Sequence, residues 1–123
     1  MNVKIDTREK LHAITIQENN LAANMTEKMD NCLLPLLNHN VKNAVINMKD
    51  IKKMDKAAAE HLIHLQRTFY DRNASFVVFG LQPNVKIDLE QAGMLAQLNT
   101  TPTESEAFDV VMMEEMEREF GEI

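Results

Sequence analysis

The residues of this chain best placed to do chemistry stand in and around Asp55-Lys-Ala-Ala-Ala-Glu-His-Leu-Ile-His64. Asp55 opens a helical pattern, and an aspartate at such a start accepts hydrogen bonds from the free amides of the first turn, stabilising the helix by about 1 kcal/mol. Glu60 and His64 are four residues apart with His61 beside them, a spacing that places possible metal ligands on one helical face. No fourth ligand is implied elsewhere, so the pattern reads as a solvated helix face, and neither a metal nor another cofactor is expected. Cys32 is the one cysteine and falls in an apolar helical stripe, where it reads as a small buried hydrophobe. No serine sits in a glycine-rich turn, and Gly80, Gly93 and Gly121 form no phosphate-cradling loop. Without a placed nucleophile, the chain is not expected to be an enzyme.

The elements that must position these residues follow from hydrophobic period. Asn2 to Asp6 and Leu11 to Gln17 alternate apolar with polar residues, as half-buried strands do, and the charged Thr7 to Lys10 between them reads as a turn joining antiparallel neighbours. After Asn19-Asn20, which can cap a helix, Ala22, Met25, Met29, Cys32, Leu33 and Leu36 recur at helical spacing, with Pro35 ending or kinking the helix near Leu34. Asn43 to Met48 reads as a strand, and the helix from Asp55 puts Ala58, Leu62, Leu65 and Phe69 on its core side, opposite Glu60, His61, His64 and Arg67. In the strand that follows, Phe76 to Phe79 is a short continuous apolar run of the kind found in strands covered on both faces or paired centrally. Pro83 to Ala92 suits a short helix stopped by Gly93, Leu95 to Leu98 a brief last strand, and Thr103 with Glu106 a capping box opening a final helix. In that last helix Phe108, Val111, Met112 and Met116 fall on one side. Met112, Met113 and Met116 read as gap-filling core residues rather than as an adaptable docking face. The predicted fold is α/β, in the order β-β-α-β-α-β-α-β-α, with one mixed sheet of four or five strands.

Composition narrows the function classes. The 123 residues are one domain's worth of chain, and 45% apolar with 26% charged residues is ordinary for a globular domain. A net charge of -6, with acids concentrated from Glu114 to Glu122, repels a nucleic-acid backbone. The nearest basic cluster, Lys49, Lys52, Lys53 and Lys56, is short and interleaved with acids, so no nucleic-acid partner is expected. The charged first ten residues lack the apolar run of a signal peptide, and no segment has the length to insert in a bilayer, which predicts a cytoplasmic location. Asp50 ends a strand as the phospho-accepting aspartate of a receiver domain would. A receiver also needs an acidic pair and a helix after its first strand, which this chain lacks, so Asp50 reads as a loop residue.

Three motifs, in order, resemble the STAS domain (sulfate transporter and anti-sigma factor antagonist). Asp55-Lys56-Ala57-Ala58 stands where that family has Asp-Ser-Ser-Gly, between a strand and a helix. Gly80-Leu-Gln-Pro-Asn-Val-Lys-Ile-Asp-Leu-Glu-Gln-Ala-Gly93 is similar to the family's strand, proline-valine turn and short helix, with Met94 where leucine is usual. Thr103-Glu-Ser-Glu-Ala107 resembles the start of its last helix. The resemblance implies a bacterial, non-catalytic protein-binding module of 1–123 whose partner is an anti-sigma factor or a GHKL-type serine kinase in a partner-switching pathway. It places Lys53, Met54, Asp55, Lys56, Ala57, Glu60 and His61 on the binding surface, and Ala57 at the phospho-acceptor serine. With no hydroxyl there, the chain would be an antagonist that phosphorylation cannot switch, or a structural relative with another partner. An accessory subunit of a membrane lipid-transport complex is the alternative the family offers, and a homodimer is compatible with either.

Overall fold

Period-two alternation near the N-terminus builds a hairpin, in which β1 (Val3–Thr7) and β2 (His12–Ile16) pair antiparallel from Val3 opposite Ile16 to Thr7 opposite His12. The computed structural model describes residues 1–121, so Glu122, the end of the acidic tail, lies outside the described residues. Three further strands add parallel to β2: β4 (Ala44–Asn47), β6 (Phe76–Phe79) and β7 (Thr100–Thr101), giving the order β1-β2-β4-β6-β7. Every residue of β6 is buried, as its unbroken apolar run predicts for a strand in the middle of a covered sheet.

Helices cover both faces. On one, α1 (Thr26–Leu33), α2 (Lys56–Asp71) and α3 (Pro83–Gln91) pack Met29, Leu33, Leu62, Leu65, Phe69, Val85 and Leu89 against Ile14, Ile16, Ile46, Phe76 and Val78. On the other, α4 (Glu104–Phe120) lays Ala107 and Val111 over Leu11, Val45, Val77 and Phe79. The α2 stripe Ala58, Leu62, Leu65 and Phe69 is buried, as its spacing requires. Thr103 caps α4 by accepting the Glu106 amide at 3.3 Å, and Gly93, at φ 71°, ends α3 with the Met94 amide reaching back to the Leu89 carbonyl.

Two local expectations are corrected, and a third, a helix ended near Leu34 by Pro35, holds with a 3-10 turn on either side of it. Asn20–Leu21 is not a cap but a short strand, β3, which pairs parallel with β5 (Lys53–Met54) in a separate two-stranded sheet. The helical stripe that follows is divided: a 3-10 turn at Ala23–Met25, α1, and a second 3-10 turn at Leu34–Asn38 that tolerates Pro35 in its first positions, where a missing amide breaks no bond. Leu95 to Leu98 is not a strand, because the closure at Gly93 feeds a tight 3-10 turn over Leu95–Gln97, and pairing with β6 begins only at Thr100.

The methionine expectation for α4 is also overturned. Met112, Met113 and Met116 are 37%, 60% and 60% exposed, because Ala107 and Val111 face the sheet and turn these side chains outward. Phe108 is only half-buried. Helical spacing alone identifies an apolar stripe without saying which side the sheet lies on.

Candidate protein-binding site

The carboxyl ends of parallel strands are where loops gather in open α/β sheets. Here the β4–α2 connection, Met48 to Asp55, crosses that edge and is fixed on both sides. Ile51 is fully buried beneath it. Toward β3, the Lys52 amide donates to the Asn19 carbonyl at 2.6 Å and the Asp55 amide to the Leu21 carbonyl at 2.9 Å. Toward α3, the side-chain amides of Gln82 and Asn84 donate to the carbonyls of Lys49 and Lys52, each at 2.8 Å. The loop before α2 is therefore held in place by its neighbours, which lowers the entropy that a partner would have to freeze on binding. Asn19, Gln82 and Asn84 carry no periodicity signal. Only the turn-forming Asn19-Asn20 pair and the position of Gln82 beside Pro83 mark them in the sequence.

Asp55 holds the N-cap position with extended backbone, and its carbonyl accepts the Ala59 amide at 3.0 Å, yet its carboxylate makes no capping bond to α2. Oδ2 instead accepts the Ala23 amide at 3.1 Å, across 32 residues of sequence. The expected cap of α2 is thus a tie between two helix starts. The start of α2 is left without a side-chain cap, and Lys56 and Ala57 are exposed there. Orphan amides and the positive end of the helix dipole face outward at this point.

The other site residues divide by environment. Lys53 and Glu60 are exposed, while Met54 is half-buried and packs on the core. His61 is half-buried and faces α1, where Nε2 and the Asp30 carboxylate meet at 2.6 Å. His64 is exposed, its ring tilted against that of His61 at 5.9 Å. Among the described residues no three histidine, cysteine, aspartate or glutamate side chains converge to hold a metal ion. A shallow groove runs beside the helix start, lined by Lys56, Glu60, Ile63 and Arg67 of α2 and by Ala92 and Met94 after α3. Lys49 lies over Gly80, whose φ of 74° and close approach to the Lys49 stem leave no room for a Cβ. Cys32 packs against the core but is only half-buried, less covered than the buried residue its stripe predicts.

The sequence matches the family model of the STAS domain over residues 2–107. The chain belongs to the STAS domain family. The fold is likewise that of solved STAS proteins. An anti-sigma factor antagonist from Mycobacterium paratuberculosis superposes with a TM-score of 0.76 at 10% identity, over 90% of this chain and 93% of that one. A Ser-to-Glu variant of RsbS from Moorella thermoacetica superposes with a TM-score of 0.74 at 21% identity, over 91% and 96%. The murine anion transporter Slc26a9 superposes at 0.70 and 12% identity over 84% of this chain, which corresponds to 18% of the transporter. By sequence alone, no curated protein is a significant relative. No described helix is long and apolar enough to cross a membrane.

Proposed function

We propose that residues 1–123 act as a single non-catalytic STAS module that binds a protein partner through the start of α2, as an anti-sigma factor antagonist that phosphorylation cannot switch. The partner would be an anti-sigma factor or a GHKL-type serine kinase, and the setting a bacterial cytoplasm. The observation that carries this reading is the exposed, uncapped first turn of α2, with Ala57 standing where the family motif has its acceptor serine. Lys53, Asp55, Lys56, Ala57 and Glu60 offer side chains to the partner, with Met54 and His61 behind them fixing the surface to β3 and α1. In a serine-bearing relative, a phosphate at this position would favour the helix dipole while adding a bulky double charge to the docking face. Alanine has no oxygen to accept one, which leaves the face in a single state.

The similarity to a segment of Slc26a9 supports a second reading, an accessory STAS subunit of a membrane transporter, for instance one that moves lipids. Affinity capture of the tagged chain from a detergent-solubilised lysate of its native cells, which holds membrane complexes as well as cytosolic ones, separates the two. Recovery of a GHKL-type kinase or anti-sigma factor supports partner switching. Recovery of a transport ATPase without either would replace it with the transporter reading.

A further inference from the structure

Helix α4 is inverted in its second half. Its inward side is polar: Glu114 accepts the Tyr70 hydroxyl at 2.7 Å, Glu115 accepts the Asn43 side-chain amide at 2.7 Å, and the Arg118 guanidinium donates to the buried Ser75 hydroxyl. Its outward side is apolar, with Met112 37%, Met113 60%, Met116 60% and Phe120 58% exposed. At about 100° per residue these four side chains span an arc of roughly 100°. Glu117 borders one edge of that arc and Glu119 the other, and Asp109 closes its upper end; all three are exposed. These ties run to the last turn of α2 and to the residues just before β4 and β6, and they turn the apolar stripe of Met112, Met113 and Met116 away from the core.

Charge selects what can cover this stripe. From Glu104 to Phe120 the helix carries seven acidic residues and one arginine, a net charge of -6, equal to that of the whole chain. A second copy laid helix against helix would bring two such rims together, and an anionic lipid surface would meet the same repulsion. A segment with apolar residues at helical spacing, flanked by lysines or arginines, satisfies both the stripe and its rim. Methionine suits such contacts, since its flexible thioether chain repacks around differing side chains.

We propose that the outward face of α4 is a second docking surface, which takes a basic amphipathic helix of a partner protein through Met112, Met113, Met116 and Phe120. It lies on the opposite face of the sheet from α2, so the two surfaces can be occupied together.

The test uses the full chain with methyl-labelled methionine and a synthetic helical peptide carrying leucines on one face and lysines along its flanks. Saturable shifts of the Met112, Met113 and Met116 methyl signals are expected. The same peptide with glutamate in place of lysine should not bind. Met113→Gln with Met116→Gln, which keeps every charge, should weaken binding at least tenfold, and Glu117→Gln with Glu119→Gln at least threefold. Unchanged affinity in the methionine variant would reduce the contact to bulk charge and overturn the proposal. Concentration-dependent dimerisation abolished by Met116→Gln, or methyl shifts with anionic vesicles but none with the lysine peptide, would overturn it in favour of a second copy or a membrane.

Discussion

Removing the Asp55 carboxylate should destabilise the chain by releasing Ala23, not by fraying α2. Oδ2 accepts the Ala23 amide at 3.1 Å and makes no capping bond to its own helix. A hydrogen bond to a charged group contributes about 1.5 to 3 kcal/mol net. This one is open to water, which lowers the expectation for Asp55→Ala toward about 1 kcal/mol. The neighbouring bond from the Asp55 amide to the Leu21 carbonyl survives the change, so the corner loosens without detaching. A double-mutant cycle in urea isolates the contact. Ala23→Pro deletes the donor at the first position of a 3-10 turn, where proline is tolerated, and Ala22 before it is already extended at φ −116° and ψ 163°. Asp55→Ala should then cost about 1 kcal/mol in the wild type and only a few tenths in the Ala23→Pro background. An equal loss in both backgrounds would show that the carboxylate acts on α2 itself and refute this assignment.

Leu62→Asp should abolish the cooperative melt, since Leu62 is fully buried and an unpaired charge there costs several kcal/mol, whereas Lys56→Asp should melt as the wild type does and bind its partner more weakly. The wild-type chain incubated with its cognate kinase and ATP should keep its mass, and Ala57→Ser should gain one phosphate; a phosphate on the wild type would mean that regulation sits elsewhere. Gly80→Ala should destabilise by about 1 to 2 kcal/mol in thermal or urea melts, because φ is 74° and the new Cβ would stand 2.8 Å from Lys49 Cγ. Burial, and then Glu114, push the Tyr70 phenol up to about 12, so its neutral form is favoured by folding. That contribution is complete below pH 10 and is lost as pH rises from 10 through 12; the stability difference between wild type and Tyr70→Phe should shrink across that window and stay flat below it.

Period and punctuation made the framework legible: the β1–β2 alternation, the α2 stripe, the apolar β6 run, Gly93 and the Thr103 cap all act locally, and each has a local cause. What was not legible depends on residues brought together from a distance. Asn20–Leu21 becomes a strand only because Lys53–Met54 lies alongside it, and Asp55 caps Ala23 only because β3 carries that amide past it. Asp30 claims His61 from another helix. The methionines of α4 share one apolar spacing whether they face the sheet or solvent, and it is the inward ties of Glu114, Glu115 and Arg118, together with Ala107 and Val111, that fix which way they point.

The most direct test of the central claim is amide hydrogen exchange of the chain, alone and in complex with the kinase or anti-sigma factor recovered by capture. Added protection should fall on Lys53 to His61, and Lys56→Asp should remove it while leaving the rest of the exchange pattern unchanged. A stable complex in which Lys53 to His61 exchange as in the free chain would contradict the account.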